Sequence, residues 1–258
     1  MSEVTRSSRA HSGFFGTLLS IAEALVIAAV IRTLLFQPFD IPSGSMEPTL
    51  LVGDYLFVSK YSYGYSHYSI PFSPPLFSGR IFAFHRPQRG DVVVFRLPTD
   101  TSVDYVKRVI GLPGDRIQVI NGAVQINGVA IERQRAADFV GPNPCGPTTE
   151  DAAQVRVPQW RETLPNGVSY NTLNCRSFSG FPDSTDVYTV PPDHYFMMGD
   201  NRENSQDSRF PEVGYVPFEN MIGPAQIIFF SLANETPAWQ FWRWPWDVRW
   251  SRLFTIIR

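Results

Sequence analysis

The sequence lacks the motifs that mark several large enzyme classes. It has no CxxC pair and no HExxH, and none of its four histidines has the spacing of a metal site, which argues against zinc. No Walker loop or GxGxxG motif is present to hold nucleotide phosphates, and no GxSxG marks an α/β-hydrolase nucleophile. We therefore expect a protein with no metal and no cofactor.

A strong basic charge is also missing. The net charge is −2 at pH 7, which gives no electrostatic footprint for nucleic acid, so we expect no nucleic-acid partner. Of the 22 lysine and arginine residues only two, Lys60 and Lys107, are lysines. The 22 prolines and 18 glycines are scattered between short apolar runs, a pattern typical of a turn-rich β fold.

Cysteine is scarce as well. Cys145 and Cys175 are the only two, and two interpretations remain open. In an oxidising compartment they can form one disulfide that closes a loop of about thirty residues, which would contribute roughly 3 kcal/mol. Alternatively, they are two free buried thiols.

The sequence does have one long apolar run, FFGTLLSIAEALVIAAVIRTLLF, at residues 14–36. It is long enough to span a bilayer, although Glu23 near its middle costs about 3 kcal/mol on insertion scales. Arg6 and Arg9, in residues 1–13, favour a cytoplasmic N-terminus and place the chain after Pro38 outside the cytoplasm. The alternative is a signal peptide cleaved near Ala24, but apolar sequence continues beyond that point.

Residues 37–235 alternate short β-type runs with turns. Runs rich in valine, isoleucine and aromatic residues begin at Asp54, Asp91 and Asp104, and Asn121-Gly122 between alternating runs predicts a hairpin. Residues 65–86 and 135–182 have the composition of long insertions. We expect a mainly β protein, with a transmembrane helix followed by a β-domain of several small sheets.

Residues 236–258 contain five of the six tryptophans. Trp246, Trp250, Leu253 and Ile257 have the spacing of one helix face. Tryptophan and arginine together suit the bilayer interface, so we predict a second, shallow membrane contact. The alternative is an aromatic stripe that packs on the protein's own core.

Three stretches contain candidate catalytic groups. In DIPSGSMEPTL, prolines and a glycine display Ser45 in an extended segment, although an ordinary linker has the same composition. In VDYVKRVIGLPGD, Lys107 could become a neutral base if buried, although lysines in apolar strands usually reach water. MMGDNRENSQDSR, residues 197–209, is dense in hydrogen-bonding groups but could be a solvated turn. No local signal favours a Ser–His pairing with His85 or His194.

Together with RGDVVVF (residues 89–95), these stretches resemble type I signal peptidase, the membrane-bound Ser/Lys endopeptidase that removes signal peptides from exported proteins. The four stretches occur in the family's order, from the anchor to about Gly223. The resemblance implies that Ser45 is the nucleophile and Lys107 the general base. It also implies that Ser43 joins the N–H of Ser45 in an oxyanion hole, and that Ser205 orients the lysine amine.

The other implied site residues either form supporting ion pairs or line the pockets for small substrate residues at −1 and −3. They are Asp200 with Arg108, Asp207 with Arg209, and the pocket residues Phe39, Ile41, Leu50, Tyr105 and Val106. The implied partners are the signal peptides of exported preproteins and a lipid bilayer. The implied location is the bacterial inner (plasma) membrane, as a single-pass protein with its catalytic domain on the periplasmic face.

Two insertions and the tryptophan-rich C-terminus depart from the family's four motifs. Other functions consistent with the sequence are a specialised processing peptidase for one secreted partner, a self-cleaving Ser/Lys protein of the repressor type, and an anchored β-domain that only binds exported proteins. The third would have no need of Ser43, Ser45, Lys107 and Ser205 together.

Overall fold

A computed structural model of the chain describes residues 14–145, 154–175, 184–233 and 238–257. Its first element is helix α1 (Phe14–Leu34), and residues 16–34 are apolar and unburied by the rest of the protein. Twenty-one residues at 1.5 Å each give a length of about 31 Å, which matches the hydrocarbon core of a bilayer. The helix ends two residues before the predicted limit of 36. Residues 1–13, predicted to be cytoplasmic, lie outside the described part.

The rest of the described chain is built mainly of short β-strands. They are β1 (Phe36–Asp40), β2 (Asp54–Ser59), β3 (Val92–Arg96), β4 (Asp104–Gly111), β5 (Arg116–Ile120), β6 (Ala123–Ile126), β7 (Val129–Ala130), β8 (Glu132–Arg135), β9 (Phe139–Gly141), β10 (Val155–Val157), β11 (Gln159–Thr163), β12 (Ser169–Leu173), β13 (Tyr188–Thr189), β14 (His194–Met198), β15 (Val216–Pro217), β16 (Met221–Ser231) and β17 (Thr255–Ile256). The predicted mainly β class is confirmed.

The largest sheet has eight strands in the order β1-β2-β16-β3-β4-β14-β15, with β17 paired to β16. β4 lies inside this sheet, between β3 and β14, and its residues from Lys107 to Gly111 are buried. β1 continues directly from α1, because Pro38 cannot extend a helix and the chain turns into a strand. This order brings the start of the β-domain beside its last strands.

Three smaller sheets complete the fold, in the orders β13-β5-β6-β7, β12-β11-β8 and β10-β9. The predicted hairpin is present: β5 and β6 pair across Asn121-Gly122, whose φ angles are 50° and 75°. Both angles are positive, as a type I′ turn requires.

The insertion at residues 65–86 is fixed to the core by a partly buried arginine. Arg80 donates to the main-chain carbonyls of Phe218 and Met221 at 2.7 and 2.5 Å. The insertion at 135–182 contains β9 to β12, and residues 146–153 and 176–182 of it lie outside the described part. Cys145 and Cys175 form a disulfide, with Cα atoms 5.4 Å apart, which decides between the two cysteine alternatives.

The C-terminal residues do not form the single helix that their spacing suggests. Residues Ala238–Arg243 and Trp250–Arg252 are 3-10 turns, α2 (Trp244–Asp247) is one turn long, and β17 follows. Long-range pairing overrides the local pattern: the Arg249 N–H donates to the Ser231 carbonyl, and β17 pairs with β16. We call residues 238–257 the C-terminal segment.

Candidate active site

Ser45 lies in a single 3-10 turn, Gly44–Met46, between β1 and β2. Proline at position 42 prevents β1 from continuing, and the turn is closed by the Glu47 N–H, which donates to the Gly44 carbonyl at 3.1 Å. The side chain of Met46 is fully buried, which fixes the turn against the core, while Ser45 remains 8% exposed. We call residues 43–54 the nucleophile loop.

Lys107 projects from the middle of β4 toward this loop. It is 4% exposed, so its amine does not reach water as an ordinary strand lysine would. Its Nζ lies 2.6 Å from Ser45 Oγ, although 62 residues separate the two along the chain. The same Nζ lies 5.2 Å from the centre of the Tyr105 ring. The structure thus brings the two predicted reactive groups into direct contact.

Burial lowers the pKa of Lys107 from 10.5 to about 8. Asp207 and Asp200 oppose this shift, and Arg209 adds to it. Both carboxylates are paired with arginines, which limits their effect on the amine. The result is a lysine that is partly neutral near physiological pH, as a general base must be.

The two implied ion pairs form behind the dyad. Arg108 contacts Asp200 with two hydrogen bonds of 2.8 and 2.7 Å and also donates to the Gly90 carbonyl. Arg209 contacts Asp207 in the same two-pronged way, at 2.8 Å each. Burial disfavours the ionised form of Asp207, but Arg209 outweighs it, and the pKa of Asp207 lies below its usual value.

The two auxiliary serines differ in their surroundings. Ser43 Oγ lies 3.4 Å from Ser45 Oγ, on the solvent side of the loop. Ser205 is 1% exposed, and its Oγ has no hydrogen-bond partner among the described residues, so the implied bond to Lys107 is not formed here. The absence of a side chain at Gly199 lets the Ser205 hydroxyl and the Ser45 main chain both pack against it. A Cβ at position 199 would lie only 2.1 Å from Ser205 Oγ and 2.5 Å from the Ser45 carbonyl oxygen.

The five implied pocket residues occupy two depths. Ile41 and Leu50 are buried, and they pack in one apolar cluster with Met46 behind the nucleophile loop. Phe39 and Val106 are partly exposed at the edge of that cluster, and Tyr105 packs against a neighbouring one. The more exposed three are accessible from solvent, whereas the other two are not.

Sequence reasoning missed three residues that hold the nucleophile loop. Thr49 Oγ1 donates to Asp200 at 2.5 Å. Asn201 donates its main-chain N–H to the Ser45 carbonyl and its side-chain amide to the Gly44 carbonyl, both at 3.1 Å. Asn201 lies within the dense polar stretch at 197–209, and that density was the only signal available for it.

Glu47 is the third. It is 7% exposed, and its Oε2 has no hydrogen-bond partner in the part of the chain that the structure describes. Burial raises the pKa of Glu47 to about 7, although a hydrogen bond from Val52 and the charge of Arg249 favour ionisation. A buried carboxyl therefore lies directly under the Gly44 main chain. The burial and charge environment of Glu47 depend on residues about 200 positions away, such as Arg249, and no local sequence pattern can indicate them.

Nothing in the described residues suggests a metal site: no group of three or more histidine, cysteine, aspartate or glutamate side chains is placed to hold an ion. His85 is exposed in the 65–86 insertion, and His194 Nδ1 lies 2.7 Å from the Pro192 carbonyl. The basic group at Ser45 is Lys107.

Comparisons with known proteins identify the family. A family model described as "Signal peptidase, peptidase S26" matches residues 15–230. Signal peptidase I of Rickettsia typhi is 47% identical over 219 residues, which cover 82% of this chain and 78% of the relative. Signal peptidase I of Rickettsia akari is 46% identical with the same coverage.

Among solved structures, signal peptidase I from Enterococcus faecalis is 26% identical. The match covers 54% of this chain and 97% of that chain, with a TM-score of 0.32. The family match includes the nucleophile loop, β4 and the 197–209 stretch, and it ends before the C-terminal segment.

Proposed function

Because the chain belongs to the signal peptidase family, peptidase S26, and hydrolyses peptide bonds, we propose that it removes signal peptides from exported preproteins by a Ser45/Lys107 mechanism. The observation that carries this proposal is the buried 2.6 Å contact between Ser45 Oγ and Lys107 Nζ. A serine hydroxyl is a weak nucleophile until an adjacent base accepts its proton. Lys107, with its pKa near 8, is the base in contact with it.

In the acylation half-reaction, neutral Lys107 accepts the Ser45 proton as Oγ attacks the scissile carbonyl carbon. The carbonyl oxygen becomes an oxyanion, which the Ser45 N–H and the Ser43 hydroxyl stabilise. The lysine ammonium then gives its proton to the departing amine as the C–N bond breaks. The signal peptide remains on Ser45 as an ester.

In the deacylation half-reaction, Lys107 is neutral again and accepts a proton from a water molecule that attacks the ester. The second tetrahedral intermediate uses the same oxyanion hole. As it collapses, the proton returns to Ser45 Oγ, and the signal peptide leaves with a free carboxylate. We propose that Ser205, which is buried beside Gly199 and has no hydrogen-bond partner for its hydroxyl among the described residues, accepts a hydrogen bond from Lys107 as the amine changes charge.

We further propose that α1 anchors the chain in the bacterial inner membrane as a single-pass protein. Its length suits a bilayer, and the nucleophile loop follows it after only one strand, β1. A signal peptide also crosses the membrane as an apolar helix, with its cleavage site just beyond. Ser45 would then lie at the periplasmic face, where Phe39, Val106 and Tyr105 receive small residues at −3 and −1.

Cleavage of a purified preprotein in detergent tests the proposal. Wild type is expected to cut after a small residue, whereas Ser45→Ala and Lys107→Ala should each lose about 10⁴-fold in kcat while remaining folded. Lys60→Met is the matched control, because Lys60 is the other lysine, is also buried, and its Nζ donates to the Ser69 carbonyl at 2.7 Å. It should keep near-normal kcat.

Two results would contradict the proposal. One is a wild-type chain that fails to cut any preprotein, and the other is a Lys107→Ala variant that still cuts at a normal rate. A panel of unrelated preproteins addresses the alternative function. Cleavage of one member alone would indicate a specialised processing peptidase with the same dyad.

A further inference from the structure

The C-terminal segment has two faces with different chemistry. Trp246 and Trp250 point outward and are 82% and 65% exposed. Arg249 and Arg252, which alternate with them, point inward and are about one-fifth exposed. The inward face lies against residues 49–54, the part of the nucleophile loop that leads from Ser45 into β2.

Arg252 holds this part of the loop at two points. Its Nη2 donates to the Thr49 main-chain carbonyl at 2.9 Å, and its Nε donates to Asp54 Oδ1 at 3.0 Å. Arg249 adds a third point, because its Nη1 donates to the Val52 carbonyl at 2.9 Å. Main-chain carbonyls held by charged donors lose much of their freedom to move.

Thr49 connects these contacts to both halves of the catalytic dyad. It lies four residues after Ser45, and its hydroxyl donates to Asp200 at 2.5 Å. Asp200 forms the buried ion pair with Arg108, the neighbour of Lys107 in β4. A displacement of Thr49 would therefore move Ser45 through the main chain that connects them. It would also disturb the surroundings of Lys107 through Asp200 and Arg108.

We propose that Arg252, assisted by Arg249, is a positioning residue for the nucleophile loop, so that the C-terminal segment is a working part of the active site. The inference rests on the proposed function for its kinetic consequences. Arg252 touches no reacting atom. Its effect is to keep Ser45 Oγ at the distance from Lys107 and the oxyanion site that the reaction needs, since a shift of 1 Å can cost a factor of about 10².

Loss of the Arg252 side chain should not unfold the domain. Asp54 is fully buried, but it also accepts hydrogen bonds from the Ser231 hydroxyl at 2.6 Å and the Leu51 N–H at 2.8 Å. Arg249 remains 3.8 Å from the same carboxylate. The carboxylate thus keeps a counter-charge and two donors, while the Thr49 carbonyl loses its arginine.

Three full-chain variants in detergent test the inference: Arg252→Ala, Arg252→Lys and, as the matched control, Arg243→Ala. Arg243 belongs to the same segment but is 54% exposed, and its contacts are with Asp247 and Gln240 of that segment. Arg252→Ala should lower kcat about 10- to 100-fold with KM within about threefold of wild type. Arg252→Lys should recover part of the loss, because a lysine can reach one acceptor but lacks the planar fork.

A pH profile and amide hydrogen exchange distinguish a displaced nucleophile loop from a general loss of domain stability. If Arg252 positions the loop, the plateau of kcat/KM falls while the pH of its rising limb stays near 8. Amides of residues 44–54 should exchange about tenfold faster, and those of β4 should be unchanged. These amides report on the loop even if no preprotein is cut, so failure of the proposed function would not obscure the result.

Three outcomes would overturn the inference. They are wild-type kinetics in Arg252→Ala, unchanged exchange of residues 44–54, and a rising limb displaced to higher pH together with a lower melting temperature. The third would mean that water has entered around Lys107 and that Arg252 only holds the domain together. Wild-type kinetics and exchange are expected for Arg243→Ala.

Discussion

At the scale of single residues, the proposed mechanism makes the ionisation of Lys107 the step that sets the pH range of activity. The unfolded chain holds this lysine with an ordinary pKa of 10.5, and burial lowers it to about 8 in the folded chain. The folded protein therefore binds this proton less tightly than the unfolded protein does. This stability cost is full below about pH 8 and is relieved as the pH rises through 8 toward 10.5.

The same shift predicts the pH dependence of the rate. At pH 7 about one lysine in ten is neutral and able to act as a base, and at pH 9 about nine in ten are. Measured as kcat/KM against pH on a peptide substrate, the rate should rise about tenfold from pH 7 and level off above 9. Lys107→Arg should be inactive throughout, because an arginine stays charged. A rate that climbs only near pH 10.4, or stays flat from pH 6 to 10, would contradict this assignment.

Local pattern made Ser45 and Lys107 candidates, because Ser45 follows two prolines and a glycine and Lys107 is a rare lysine in an apolar strand. Their roles as nucleophile and base came from the resemblance to the family, since each pattern also fits an ordinary linker or strand. Arg252 and Glu47 were missed because their roles depend on partners far along the chain. Arg252 is one arginine among many until the fold brings it to Asp54, 198 residues away.

At the scale of elements, the disulfide supports the nucleophile loop through contacts that do not involve Arg252. Pro144, next to Cys145, accepts hydrogen bonds from the side chains of Asn201 and Asn204 at 2.7 and 2.8 Å. Asn201 in turn donates to the carbonyls of Gly44 and Ser45. The insertion at 135–182, whose role the sequence left unassigned, thus reaches the site through Asn201 and also through Leu173, whose N–H donates to the Asp200 carbonyl at 3.0 Å.

Removal of the disulfide should therefore affect both stability and rate. The bond links residues 30 positions apart, for which the chain-entropy model gives about 3 kcal/mol. For a domain of this size, that corresponds to a fall of about 6–12 °C in the melting temperature of Cys145→Ala/Cys175→Ala. Looser support of Asn201 should lower kcat about 3- to 10-fold.

Calorimetry and peptide cleavage on the same preparation would check both effects. Asn201→Ala is the companion variant, since it removes the connecting side chain and leaves the disulfide intact. It should lower kcat with a smaller change in melting temperature. An unchanged melting temperature in the double alanine variant would show that the disulfide contributes nothing to stability.

The prediction of elements succeeded where short-range chemistry determines the geometry. Asn121-Gly122 forms the predicted turn because both residues tolerate positive φ. The tryptophan spacing failed as a helix signal because the Arg249 N–H bonds to the Ser231 carbonyl and β17 pairs with β16, so the backbone pairs with a distant strand instead of continuing the helix. Which strands meet could not be predicted, since β16 joins β2 across more than 160 residues.

At the scale of the whole molecule, large apolar side chains are exposed in three places connected to one another. α1 is unburied along residues 16–34. The 65–86 insertion exposes Phe72 and Phe84 at 103% and 81%, and its Tyr65 hydroxyl donates to the Leu34 carbonyl at the end of α1. The C-terminal segment exposes Trp246, Trp250 and Phe254.

The C-terminal segment is connected to α1 through the largest sheet. Its β17 pairs with β16, β16 pairs with β2, and β2 pairs with β1, the strand that follows α1. Exposed apolar surface of this extent on a monomer marks an interaction site, and its continuity with α1 favours lipid as the partner.

Lipid contact of the C-terminal segment can be measured on the full chain in nanodiscs that contain brominated lipids, which quench nearby tryptophans. Wild-type fluorescence should be quenched, and Trp246→Phe/Trp250→Phe should lose about half of that quenching, because these rings would lie at the headgroup level. Trp160→Phe is the matched control: this ring packs under Arg133 at 4.4 Å in the β8–β11–β12 sheet, away from the C-terminal segment, and its loss should leave the quenching unchanged. Equal fluorescence of the wild type in brominated and ordinary lipid would mean that the tryptophans face water. The membrane would then contact the protein through α1 and the 65–86 insertion without the C-terminal segment, and Arg252 would position the loop independently of the bilayer.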